Sequence, residues 1–167
     1  MVSRRVTNAG FVAAAVAAAI AAFGISSSSQ SEDAASVGSI KDSYAFDVKD
    51  KKQLMAYGNE VFVGEALKAL RTDEARSSTL WRVRVIRSVK GDRRGEALVW
   101  QLGYVDSTGR AHVTEEQPLL QPGARVLLVT TREGAENTLV GGPAARVPIR
   151  SRANEEQVIA EYRAALR

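Results

Sequence analysis

The residues whose types and spacing could do chemistry in this sequence are mostly cationic. Arg82, Arg84, Arg87, Lys90, Arg93 and Arg94 follow one another along one stretch, with Trp81 at its start and Trp100 shortly after it. Guanidinium and ammonium groups can contact phosphates or carboxylates, and an indole beside them can stack on a ring. Together they would bind an anionic polymer, a lipid headgroup or a single-stranded nucleic acid. The competing reading is a strand whose solvent face carries arginines, which also guards it against edge pairing. The second reading is favoured.

Residues suited to catalysis are scarcer. His112 is the only histidine, so one chain cannot build a two-histidine metal site, and a serine triad has this single candidate base. It reads as a surface strand residue. The absence of cysteine excludes disulfides, thiolate catalysis and cysteine-based metal sites. No glycine-rich phosphate cradle ends in Lys-Ser or Lys-Thr, and Gly91-Asp92-Arg93-Arg94-Gly95 reads as a turn. No nucleophile elbow and no Ser-x-x-Lys motif occurs. Glu115-Glu116 and Glu155-Glu156 are adjacent pairs. Neighbours in extended chain face opposite ways, so neither pair forms an acid/base dyad, and both read as solvated charge. No catalytic residue, metal ligand or cofactor is assigned.

The elements that must position the cationic stretch run from Gly58 to Leu102. Val61 and Val63 alternate with Phe62 and Gly64 in a strand that continues through Ala66 and Leu67. A polar loop is expected from Arg71 to Ser78. Thr79 to Val89 then alternates strictly, with Trp81, Val83 and Val85 on one face and Arg82 and Arg84 on the other. Ile86 breaks that phase, which predicts a β-bulge near it. Leu98, Trp100, Leu102 and Tyr104 are expected to line the buried face of the next strand. Val83, Val85, Leu98, Trp100, Val126 and Leu128 form the expected core.

Flanking elements follow from local signals. Asp47 or Asp50 can cap a short helix through Leu54, Met55 and Tyr57, with Gly58 as its stop. Tyr44, Phe46 and Val48 alternate as an edge strand. Asp106-Ser107-Thr108-Gly109 is a hairpin turn with a return strand from Ala111 to Thr114, and Glu115 to Leu120 is a connection. Pro122-Gly123 suits the central positions of a type II turn. Arg125 to Thr131 is the most apolar strand and is placed centrally. Asn137 to Val140 is its brief partner. Asn154 caps a final helix, with Glu155 and Glu156 in its first turn and Val158, Ile159, Tyr162 and Ala165-Leu166 along its packed face.

Two segments carry a family resemblance. Glu60-Val61-Phe62-Val63-Gly64-Glu65-Ala66, followed by the strand from Trp81 to Lys90-Gly91-Asp92, resembles small exported bacterial domains with a netrin/TIMP-like OB barrel. Leu120-Gln121-Pro122-Gly123 with Val126-Leu127-Leu128-Val129 is similar to their following strand. The resemblance covers roughly half to two-thirds of the chain. It implies a mainly β fold: a small OB-like antiparallel barrel with a C-terminal helix. The eukaryotic inhibitors of that superfamily act through an N-terminal cysteine and disulfides. This chain has neither, so metalloprotease inhibition does not carry over.

Composition bounds the rest. The 167 residues are 45% hydrophobic and 25% charged, as in a globular chain of one ordinary domain. The net charge is +4, of which Arg4 and Arg5 supply two, so the basic balance is weak evidence for nucleic-acid binding. Those arginines precede an uninterrupted apolar run from Phe11 to Ile25, followed by a serine-rich stretch, which is the layout of an export signal. The best small-x-small site, Ala19-Ile20-Ala21, lies inside the run. Val6 to Ile25 approaches the ~20 residues of a spanning helix. Cleaved signal and uncleaved anchor both stay open, and Ser3-Arg4-Arg5 also fits twin-arginine export. With no cysteine, lipoprotein anchoring is excluded.

The expected layout is a signal peptide or anchor helix over 1–25, a flexible linker over 26–42 and the barrel over 43–167. The expected function is an exported or membrane-tethered, non-catalytic interaction module. Its partner is an unidentified protein or an anionic cell-envelope component, with membrane contact through residues 1–25 if they are retained. An exported chain rarely meets nucleic acid, so that ligand is not favoured. The alternatives are an OB-type binder of anionic polymer, lipid headgroup or nucleic acid through the arginine strand, and an enzyme with an unrecognised carboxylate site.

Overall fold

The structure, a computed structural model, describes residues 46–167 apart from 115 and 116. The expected export segment, the linker, Tyr44 and the Glu115-Glu116 pair lie outside the described residues. Phe46 to Val48 forms bends and turns rather than an edge strand.

Chain order is α1 (Lys51–Tyr57), β1 (Glu60–Asp73), β2 (Ser78–Lys90), β3 (Glu96–Leu102), β4 (Tyr104–Val105), β5 (Ala111–His112), β6 (Arg125–Glu133), β7 (Glu136–Leu139), a 3₁₀ turn (Pro143–Ala145), β8 (Arg146–Pro148) and α2 (Arg152–Ala164). Strands β1, β2, β3, β7 and β6 neighbour one another in that order, and β6 returns to pair with β1. The result is a closed five-stranded barrel, compatible with an OB-like barrel. The barrel is not wholly antiparallel: β3 and β7 run parallel. The β6–β7 hairpin carries the chain back beside β3 in β3's own direction, after a connection long enough for a parallel crossover. β8 adds to β6 on the edge that β7 also uses.

The β1–β2 hairpin does most of the curving. Its register steps from Val61↔Lys90 to Phe62↔Ser88 and from Val63↔Arg87 to Gly64↔Val85, which leaves Val89 and Ile86 as extra residues on β2. Two further steps leave Leu67 and Leu70 extra on β1. Each bulge bends its strand and increases the local twist, as a small barrel requires. The bulge foreseen at Ile86 is one of the four. At Gly64 the strands approach so closely that a Cβ would come within 2.5 Å of Val83 Cγ1. The expected loop from Arg71 to Ser78 is shorter than its polar composition indicates. Arg71, Thr72 and Asp73 pair with Leu80, Thr79 and Ser78, and only residues 74–77 turn. Those side chains are polar because this end of β1 has no second strand neighbour, not because the backbone is irregular.

The core joins the barrel to its flanking elements. Val126, Leu127, Leu128 and Val129 are all buried, so β6 is covered on both faces, as placed from sequence. Leu54 and Met55 of α1, Ala145 of the 3₁₀ turn, and Val158, Ile159 and Tyr162 of α2 complete the same cluster. Asp50 caps α1 by accepting the Lys52 and Gln53 N–H groups. The Pro122-Gly123 turn is type II, with Gly123 at φ 81° and the Ala124 N–H on Gln121 O at 2.9 Å.

Two expectations are corrected. In β3, Ala97 and Val99 face the core, with Val85 half-buried against the same cluster, while Leu98 and Trp100 lie on the opposite face, Leu98 half-buried and Trp100 buried as expected but outside that cluster. The inward phase also buries Gln101 completely. Its Nε2 donates to Pro118 O at 3.0 Å and its Oε1 accepts the Leu120 N–H at 2.9 Å. That fastens the segment 117–121 across the barrel as a strap and drops Leu120 into the core. The second correction concerns α2. Its N-cap is Ser151, whose Oγ accepts the Asn154 N–H, while Asn154 Oδ1 accepts the Arg150 N–H. Glu155 is not solvated charge: it is 5% exposed and lies 2.6 Å from Arg125 Nη2. Tyr162 donates its hydroxyl to Ala144 O, and burial pushes its phenol up to about 12.

Val126→Ala or Leu128→Ala should cost roughly 1–4 kcal/mol in denaturant melts, through lost burial plus an unfilled cavity. Leu98→Ala should cost clearly less. A Leu98→Ala penalty equal to that of Leu128→Ala would show that the phase of β3 is wrong.

Candidate functional site

Cross-strand partners share a face of the sheet, so the register places every candidate residue. Trp81 pairs with Val99 and Ala69 and points inward, 4% exposed, with its indole N–H buried and without a hydrogen-bond partner. It belongs to the core and offers no ring to a ligand. Leu80 pairs with Arg71 on one side and Trp100 on the other, and Trp100 pairs with Thr138 of β7. This row crosses the outer face of β1, β2, β3 and β7. Lys68, Arg82, Leu98 and Glu136 form the next row on the same face.

Trp100 is the centre of that face. Its Nε1 donates to Glu136 Oε2 at 2.7 Å, and the Arg71 guanidinium lies 4.9 Å from its ring centroid. A guanidinium at that distance gains from the ring's negative face. Beside the indole opens a cavity of about 280 Å³, lined by Arg76, Ser78, Gln117, Thr138 and Leu139 among others. Arg71, expected in a loop, belongs to β1, while Arg76 lies in the turn as expected. The pairing of Arg71 with Leu80, and so its place beside Trp100, depends on the bulges at Leu67 and Leu70, which alternation does not reveal.

The other cationic candidates are taken up by the fold. Arg82 lies 3.6 Å from Glu96, Arg84 2.6 Å from Glu65, and Arg87 2.7 Å from Glu156 of α2. Lys90 Nζ donates to Met55 O and Gly58 O at 2.6 Å each and so closes the C-terminal end of α1. Arg93 reaches Ala135 O at 3.5 Å. Arg94 is exposed and makes no ion pair or hydrogen bond among the described residues. The structure therefore keeps Arg82, Arg84 and Trp100 on one face, with both arginines facing carboxylates, and turns Trp81 into the core. An anion approaching β2 meets cations that already face carboxylates on neighbouring elements.

His112 sits in the β4–β5 hairpin. Its ring stacks on Tyr104 at 4.7 Å, and its Nε2 lies 2.8 Å from Asp106 Oδ2. The Thr108 hydroxyl first, then His112 and the Arg110 N–H, hold the Asp106 carboxyl well below the usual carboxylate range. These bonds lock a tight turn, with the same carboxylate also accepting the Thr108 N–H. Among the described residues, no three histidine, aspartate or glutamate side chains converge as metal ligands. Trp100 itself is 9% exposed, so the arrangement supplies a cation–π pair beside a polar recess rather than a bare ring. No protein-family model matches the chain, and no curated protein matches it.

Lys90 and the β2 arginines should separate under mutation. Lys90→Met should lower stability by about 1.5–3 kcal/mol, because two charge-assisted bonds are lost to buried-end carbonyls. Arg82→Ser and Arg84→Ser should each stay within about 0.5 kcal/mol, as exposed pairs do. Denaturant melts that ranked Arg84→Ser above Lys90→Met would contradict these roles.

Proposed function

We propose that this chain is an extracytoplasmic, non-catalytic interaction module, released or tethered through residues 1–25, that meets its partner with the outer face around Trp100. The observation that carries the proposal is Arg71 set over the Trp100 ring beside an open recess. OB barrels take ligands on the face of their second and third strands and on the adjoining loops. Trp100 and Leu80 occupy the corresponding strands here, with Arg76 in the turn that joins β1 to β2. A planar aromatic under a guanidinium is also the kind of group that dominates protein interfaces.

The relation to netrin/TIMP-like domains belongs to the same proposal. It is supported by the positions of the motifs that suggested it: Val61-Phe62-Val63-Gly64 in the first barrel strand, Lys90-Gly91 at the end of the second, and Pro122-Gly123 leading into β6. Export rests on the order of charge and hydropathy at the N-terminus. Polyanion binding through β2 has less support, because Arg82, Arg84 and Arg87 each already face a carboxylate.

A reporter fused after Arg167 should be active only outside the cytoplasmic membrane; activity confined to the cytoplasm would end the export reading. For the face itself, a photo-crosslinker placed at Arg71 or Thr138 in cells should capture a specific envelope partner, and one placed at Arg94 should not. Trp100→Ala should remove the Arg71 product while Arg82→Ser with Arg84→Ser leaves it. Loss on the double serine change, together with binding that falls steeply with salt, would favour the polyanion reading instead.

A further inference from the structure

A second recess lies away from Trp100. Between the strap and β8 runs a groove of about 350 Å³ whose apolar lining includes Leu119, Ala124, Val126, Pro148 and Ile149. That volume is at the small end of the roughly 300–1,000 Å³ typical of ligand sites and suits one chain rather than two. Two guanidinium groups border it. Arg125 is neutralised by Glu155 at 2.6 Å. Arg146 is half-buried, donates to the neutral Pro118 carbonyl, and has no carboxylate in ion-pair range among the described residues. Burial alone pulls its pKa below the ordinary arginine value. Among the described residues this partly desolvated cation is bonded only to a carbonyl and has no counter-charge, which a ligand carboxylate can supply through a bidentate pair.

The groove also selects against a peptide. Along β8 the Ile149 N–H is used by β6, on Arg125 O at 2.8 Å. On the outer edge the Arg146 N–H is already on Pro143 O, and Pro148 has no N–H. An extended peptide adding to this edge would find no free amide donor. An acyl chain needs none.

We propose that this groove binds a single-chain acyl carboxylate, the chain lying against Leu119, Val126, Pro148 and Ile149 and the carboxylate meeting Arg146. One guanidinium without a carboxylate partner among the described residues matches one negative charge, whereas a phosphate monoester carries about −1.5 to −2 and calls for a second cation. The site is separate from the Trp100 face, so its failure leaves that reading untouched.

The test uses the purified full-length chain, with a preparation lacking it as the blank, and follows displacement of fluorescent cis-parinarate by myristate. Myristate should displace the probe, while tetradecanol, tetradecyl phosphate, butyrate and an acidic peptide should do so far less well. Arg146→Gln should weaken myristate by about tenfold or more, the worth of one charge-assisted hydrogen-bonded contact, and leave tetradecanol unchanged. Ala124→Phe, which fills the groove, should weaken both. If Arg146→Gln does not fold, Arg146→Lys, with the charge kept and the fork lost, should give an intermediate loss. Equal binding of myristate and tetradecanol would overturn the proposal. So would myristate binding unchanged in Ala124→Phe, or displacement by the phosphate or the peptide but not by myristate.

Discussion

The structure depends on β6 closing onto β1. Six consecutive pairs, from Glu60↔Thr130 to Glu65↔Arg125, turn a curled sheet into a barrel and leave the two strands no free edge along that length. The closure is pinned at one end by a buried carboxylate. Glu60 is 4% exposed, and its oxygens meet Arg132 Nη1 at 3.0 Å and Asn137 Nδ2 at 2.8 Å. The Thr130 hydroxyl donates to Glu60 O, and Asn137 Nδ2 also reaches that hydroxyl at 2.9 Å. One network thus ties β1, β6 and β7 together. A buried charge is tolerated only when it is paired and hydrogen-bonded, so the cluster forms only in the closed register and marks it against a slipped one.

Closure decides what the cations of β2 can do. Once β1 and β3 flank β2, Arg84 stands across from Glu65 and Arg82 comes near Glu96. Once α2 docks, Arg87 reaches Glu156. Lys90 is drawn to the end of α1 because that helix sits where β1 begins. A run that reads as one positive stripe in the sequence becomes a set of local pairs. The face proposed for a partner is centred on Trp100, where Arg71 rests on a ring rather than on a carboxylate.

Much of this fold was legible because its signals are local. The bulge at Ile86, the Asp50 cap, the type II turn at Pro122-Gly123, the centrality of β6 and the packing of Val158, Ile159 and Tyr162 on α2 each follow from a few adjacent residues, whereas Leu166, expected on the same face, is exposed. The phase of β3 was not legible. Ala97, Leu98, Val99 and Trp100 are apolar on both faces, and size favoured the wrong one. The deciding residue is Gln101, a polar side chain that is buried because the distant Pro118 and Leu120 satisfy it. β8 is three residues long and shows no alternation to read. Arg71 was missed because charge density resembles a loop when the strand beneath it has one bare edge. Glu155 was missed because a carboxylate beside Glu156 looks solvated until Arg125 is brought to it from another element.

Residue-resolved amide hydrogen exchange on the full-length chain tests the closure most directly. The amides of Val61 to Gly64 and Val126 to Val129 should be the most protected of the chain and should exchange together, as one cooperative unit. Glu60→Gln should speed both strands in parallel, since it weakens the cluster that joins them. If β6 instead exchanged well before β1, while the β1–β2 hairpin kept its protection, the barrel would not be held shut by this pairing, and the placement of the Trp100 face that follows from it would fail.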